Sequence, residues 1–199
     1  MSAPTGLTGP ARGGGLEAVA EIARMRACGW AAFAQVFRPP TLEWVRALRA
    51  GEVRTELRAA VGWREGELSR FLPPLTALGA FARTAPRRSE DADLASCAQE
   101  YDALRRDVEE LDLAGPFCEL LAGLCRDEAA AWSTGTLDRG RRLRAHEASE
   151  LREDGGQALS AATRGLVARA PAQPYLALGQ LCREWLAVET GAEFVASVR

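Results

Sequence analysis

The sequence predicts an all-α protein, a single helical-bundle domain of about eight to ten helices over 16–199 behind a disordered tail at 1–15. Three observations carry this. Apolar residues recur at helical spacing: Phe117, Leu120, Leu121, Leu124 and Cys125 fall at i, i+3, i+4, i+7 and i+8 and trace one face of a helix. No run alternates with period two over the length of a strand. Ala, Leu, Arg and Glu, all good helix formers, dominate the composition.

The elements follow in chain order. Met1 to Gly15 is rich in Gly, Pro and Thr and lacks the apolar stretch of a signal peptide, hence the predicted tail. Leu16 to Phe37 reads as the first helix, with a stripe through Val19, Ile22, Met25, Arg26, Trp30, Phe33 and Phe37 in which Arg26 is the odd member. Pro39-Pro40 stops it. Thr41 caps a short second helix carrying Trp44, Val45 and Leu48, and Gly51 separates it from a third over Glu52 to Trp63. Leu68, Phe71 and Leu72 begin a further helix that Pro73-Pro74 kinks or ends, and Leu75, Leu78 and Phe81 continue at helical spacing.

Thr84 to Asp93 predicts a loop whose acidic residues suit the first turn of the next helix. That helix, Asp93 to Val108, aligns Leu94, Cys97, Tyr101, Leu104 and Val108. A long helix ends near Trp132; Gly135 and Thr136 terminate and restart the chain for a charge-rich helix over Leu137 to Leu151. Gly155-Gly156 breaks it before Gln157 to Ala170. Pro174 opens a last helix with Tyr175, Leu178, Leu181, Cys182, Trp185 and Val188 on one side.

Composition excludes several function classes. The net charge is −2 and every one of the 25 basic residues is Arg, so no strong positive field attracts nucleic acid or an anionic membrane. No stretch has the length of a membrane span. The five cysteines, Cys28, Cys97, Cys118, Cys125 and Cys182, are odd in number and lack CxxC spacing. That argues against a disulfide framework and against a zinc site, and for a cytoplasmic protein with cysteine used as a small hydrophobe.

Enzyme chemistry finds no support, and no catalytic or metal-binding residue is assigned. The single histidine, His146, lies in a charged helix and reads as structural. There is no GxGxxG after a strand, no Walker loop and no HExxH, and no cofactor is implied. Carboxylate pairs such as Glu147/Glu150 read as a solvated helix face. Arg139, Arg141, Arg142 and Arg144 form the densest basic group, read as a solvated helix or, alternatively, as the contact stripe of a non-enzymatic scaffold or regulatory domain.

The stretch Glu109-Glu110-Leu111-Asp112-Leu113-Ala114, then Phe117 to Ala129 with Glu119 and Glu128, resembles the TorD/DmsD/NarJ family of redox-enzyme maturation chaperones. Glu100-Tyr101-Asp102-Ala103-Leu104, the closing Pro174 to Leu181, and Arg24 to Phe37 followed by Pro-Pro extend the likeness. Leu113 stands where the family has a histidine. The resemblance implies a TorD-like fold and a cytoplasmic chaperone, monomeric or homodimeric. Such a chaperone binds the leader peptide or the apo form of a molybdenum-containing oxidoreductase catalytic subunit and assists its cofactor insertion, assembly or export. It implies an apolar groove with an acidic rim for a basic amphipathic leader, with Tyr101, Asp112, Leu113, Phe117 and Glu119 as client-binding candidates.

Overall fold

A computed structural model describes residues 12–62, 68–84, 89–170 and 174–191. Among these residues the chain is helical without strands. In order come α1 (Arg12–Val36), α2 (Leu42–Ala50), α3 (Glu52–Ala60), α4 (Leu68–Thr84), α5 (Glu90–Asp107), α6 (Leu111–Ser133), α7 (Leu137–Glu150), α8 (Asp154–Arg169) and α9 (Tyr175–Glu189). The single-bundle reading of the sequence therefore holds.

The axis of the bundle is the pair α1 and α6. They run antiparallel, since Ala34 and Phe37 at the end of α1 lie beside Gly115 near the start of α6, and Arg24, further back in α1, reaches Ser133 at the end of α6. Small side chains bring them close: Ala20, Ala23, Ala27 and Ala34 face Ala114, Cys118, Ala122 and Ala129, all buried. This corrects the face drawn from the sequence. Val19 is exposed, Ile22 and Met25 are half-buried, and the alanines one residue along take the inner positions in the first turns. Close helix approach selects small residues, and a pattern scored on large apolar residues misses them.

α9 packs antiparallel on α1. Trp185 lies so close to Gly29 that a Cβ there would meet its ring at 2.4 Å. Trp185 also joins Trp30 and Phe33 in an edge-to-face group with centroids 5.8 to 6.3 Å apart. α8 lies against α9 and α6, α7 against α6, and α2 to α5 cover the other end. There Tyr175 stacks on Trp44 at 5.7 Å and contacts Tyr101 at 6.2 Å.

Several local expectations are met by mechanism. Thr41 caps α2 by accepting from Trp44 N at 3.2 Å, and Gly135 takes the left-handed φ of +73° at the end of α6. Others shift. α1 starts at Arg12 rather than Leu16, so four residues assigned to the tail are helical; the rest of that tail lies outside the described residues. α4 runs through Pro73 and Pro74, because the carbonyls of Ser69 and Arg70 that lose donors there belong to exposed residues open to water. α5 begins at Glu90, where Ser89 caps it by accepting from Ala92 N at 3.2 Å. The break between α7 and α8 falls at Leu151–Glu153, and Gly155 and Gly156 lie in the first turn of α8.

Candidate functional site

Two features stand out, one buried and one exposed. The buried one centres on Arg26, which is 0 % exposed in the middle of α1. Its Nε and Nη2 donate to Glu189 of α9 at 3.0 and 2.7 Å, and its Nη1 donates to Glu128 of α6 at 3.0 Å. Nη2 also donates to Glu147 of α7. Four helices thus converge on one guanidinium. Trp30 Nε1 donates to Glu147 at 3.2 Å, Trp132 Nε1 donates to Glu128 at 2.9 Å, and the Cys125 thiol lies 3.3 Å from Glu147 Oε1. Arg144 approaches the group from α7, 3.6 Å from Glu128 and 3.9 Å from Glu147.

This geometry corrects two readings. Glu147 was expected on a solvated face and is fully buried; Arg144 was expected in an outward basic stripe and points inward. The helical spacing carries a signal of this burial. Glu128 stands three residues after Cys125, and Glu189 follows Trp185 by four, so both share faces with core residues. The remaining arginines of the stripe are solvated, Arg141 lying 3.9 Å from Asp138, and His146 pairs with Glu150 at 3.0 Å on the surface.

Among the described residues the charges in the cluster do not balance if all are ionised: two guanidiniums face three carboxylates. Burial pushes the Glu128 carboxyl up to about 7 despite the opposing pull of Arg26. A proton on Glu128 makes the cluster neutral. Burial works against the charge on Arg26, but Glu189 and Glu147 overcome it and hold the guanidinium protonated.

Cys125, Glu128 and Glu147 offer ligand atoms within 4.8 Å of one another. The residues nonetheless do not fit a metal. Arg26 already donates to both carboxylates, so a divalent cation would have to displace a guanidinium. Burial raises the Cys125 thiol far above its ordinary range, whereas a metal needs the thiolate. The other cysteines are free as well; Cys97, Cys118 and Cys182 are buried and Cys28 is exposed.

The exposed feature is the outer face of α6. Leu113 is 61 % exposed and Leu120 is 45 % exposed, with exposed Pro116 between them at helical spacing. The sequence sets Leu120 in the buried stripe; in the structure Phe117, Leu121 and Cys125 hold that stripe and Leu120 lies at its exposed edge. Asp112 and Glu119 flank the outer face. Each is paired at the surface, Asp112 with Arg105 at 2.8 Å and Glu119 with Arg38 at 2.5 Å.

The five sequence-predicted client residues therefore divide. Asp112, Leu113 and Glu119 lie together on the outer face of α6. Tyr101 is buried, and its hydroxyl donates to the Phe37 carbonyl at 2.9 Å, closing the end of α1. Phe117 is buried against Gly155 of α8.

No helix among the described residues is long and apolar enough to cross a membrane. Comparison with models of known protein families, with curated proteins and with solved structures finds no match.

Proposed function

We propose that the protein is a non-enzymatic binding protein, a chaperone that holds a basic, amphipathic segment of a partner on the outer face of α6. Following the family resemblance, the partner is the apo catalytic subunit of a molybdenum-containing oxidoreductase, held through its leader or body before assembly or export.

One observation carries the reading: Leu113, Pro116 and Leu120 present an unpartnered apolar stripe beside Asp112 and Glu119. Covering two half-exposed leucines contributes on the order of 2 kcal/mol, too little alone for a stable complex. The carboxylates add steering and orientation, and further partner surface supplies the remainder. The carboxylates' ion pairs with Arg105 and Arg38 are exposed and screened by water, so arginines of an incoming peptide can replace them at little cost. An amphipathic basic helix satisfies both demands, apolar side chains on the stripe and guanidiniums on its flanks.

The test is gentle co-purification of the tagged full chain from its host, beside a variant carrying Leu113→Asp and Leu120→Asp. The reading expects the cofactor-free oxidoreductase subunit with the wild type and its loss with the variant. Equal recovery by both proteins would place the contact elsewhere, and absence of any oxidoreductase subunit would remove the client assignment.

A further inference from the structure

Between α8 and the end of α9 lies an open cleft of about 470 Å³, larger than a solvated surface dimple and within the usual size of a small-molecule site. Its polar lining includes Gln157, Ser160, Arg164, Arg183 and Thr190, and none of its described lining residues is acidic.

The charge state of this lining is unusual for a chain of net charge −2. Arg164 has no carboxylate partner among the described residues; its Nη1 donates to Ser160 Oγ at 2.9 Å. Arg183 donates to Glu184 from Nε at 3.2 Å and from Nη2 at 3.0 Å. That carboxylate is divided, because Arg70 also donates to it at 3.0 Å. Arg164 and Arg183 thus line the cleft from two helices, and the one carboxylate near them, Glu184, is shared with Arg70.

We propose that this cleft binds a small organic phosphate, its phosphoryl group held by Arg164 and Arg183 and its apolar body lying on Leu151 and Leu186. The donor count favours phosphate over carboxylate. A carboxylate is satisfied by one arginine fork, whereas a tetrahedral dianion takes donors from several directions. Here the donors are the remaining N–H groups of Arg164, the Nη1 of Arg183, the Ser160 hydroxyl hydrogen and the Gln157 amide. The apolar wall then favours an ester over inorganic phosphate.

The experiment is isothermal titration of the full chain with phenyl phosphate, inorganic phosphate and benzoate, repeated on the Arg164→Ala/Arg183→Ala variant. The expected order is phenyl phosphate tightest, then inorganic phosphate, then benzoate, with one site per chain. The double variant should lose at least ~10-fold in affinity for phenyl phosphate, with circular dichroism and melting temperature unchanged because both arginines are exposed. Should that variant unfold, Arg164→Lys, which keeps the charge and loses the planar fork, should still weaken binding several-fold. Equal binding by wild type and variant, or benzoate binding as tightly as phenyl phosphate, would overturn the proposal. A phosphoserine peptide binding far more tightly than phenyl phosphate would overturn the small-molecule occupant.

Discussion

Arg26 on α1 and Glu189 on α9, 163 residues apart in the chain, meet in a two-pronged pair through Nε–Oε1 at 3.0 Å and Nη2–Oε2 at 2.7 Å. The pair ties the first helix to the last inside the core, and Glu128 and Glu147 add the two helices between. A buried ion pair of this kind contributes little net stability over an apolar replacement, but breaking it is costly because the partner charges stay buried.

Arg26→Met should therefore destabilise the protein by about 3–5 kcal/mol in urea unfolding. Arg26→Lys should fail to restore it, since an ammonium offers three donors from a single nitrogen and cannot make the two-pronged pair with Glu189 together with the bonds to Glu128 and Glu147. Adding Glu147→Gln and Glu189→Gln to Arg26→Met should recover part of the loss by removing the uncompensated charges. A triple variant no more stable than Arg26→Met would mean that the cost comes from lost packing instead.

Stability should also fall as pH rises from about 4.5 to about 7. Burial raises the Glu128 carboxyl from 4.5 to about 7, so across that window the folded protein holds a proton that the unfolded chain has released. Linkage then lowers stability by up to about 1.4 kcal/mol per pH unit for this one group, with the full loss reached above the folded value. Glu100, raised to about 7 by burial, acts in the same direction. Urea midpoints at pH 5, 6, 7 and 8 should show the decline, and Glu128→Gln should flatten it. An identical pH slope in wild type and Glu128→Gln would assign the effect to other groups.

What was legible in the sequence follows from what periodicity measures. It located the helices because a bundle buries one face of each, and Thr41 and Gly135 announce their ends through local chemistry that needs no tertiary context. It set Arg26 on the inner stripe of the first helix but misjudged Glu147, since a charged residue on a helix is normally solvated and its burial depends here on a partner more than a hundred residues away. It also placed Leu120 and Val19 inside, because the separation of α1 and α6 is a property of the packed pair. For the candidate site the sequence grouped five residues by resemblance, and only three of them share a surface. Tyr101 and Phe117 are aromatic residues that the core itself requires.

Phe117 and Gly155 make a second close contact that mutation can probe. A Cβ on Gly155 would meet the Phe117 ring at 2.4 Å, so the first turn of α8 approaches α6 only because the side chain is absent. Replacing glycine by alanine within a helix normally stabilises by up to about 1 kcal/mol. Here Gly155→Ala should instead destabilise by roughly 1–3 kcal/mol through overpacking. Phe117→Leu should relieve the clash, so the double variant should be more stable than the sum of the two single effects. Strict additivity would show that the ring and the glycine do not compete for the same space.

The outer face of α6 makes the opposite prediction. Leu113 and Leu120 are exposed, so Leu113→Asp and Leu120→Asp should each change stability by no more than about 0.5 kcal/mol. A solvent-facing leucine on a helix contributes propensity and little else. If its retention reflects binding, the two substitutions should abolish partner capture while leaving the melting temperature nearly unchanged. Raising salt should weaken the wild-type complex as well, because the flanking contacts of Asp112 and Glu119 are surface charges screened over about 8 Å at physiological ionic strength. Loss of several degrees in melting temperature would instead show that the stripe supports the fold, and would leave the chaperone reading without its surface.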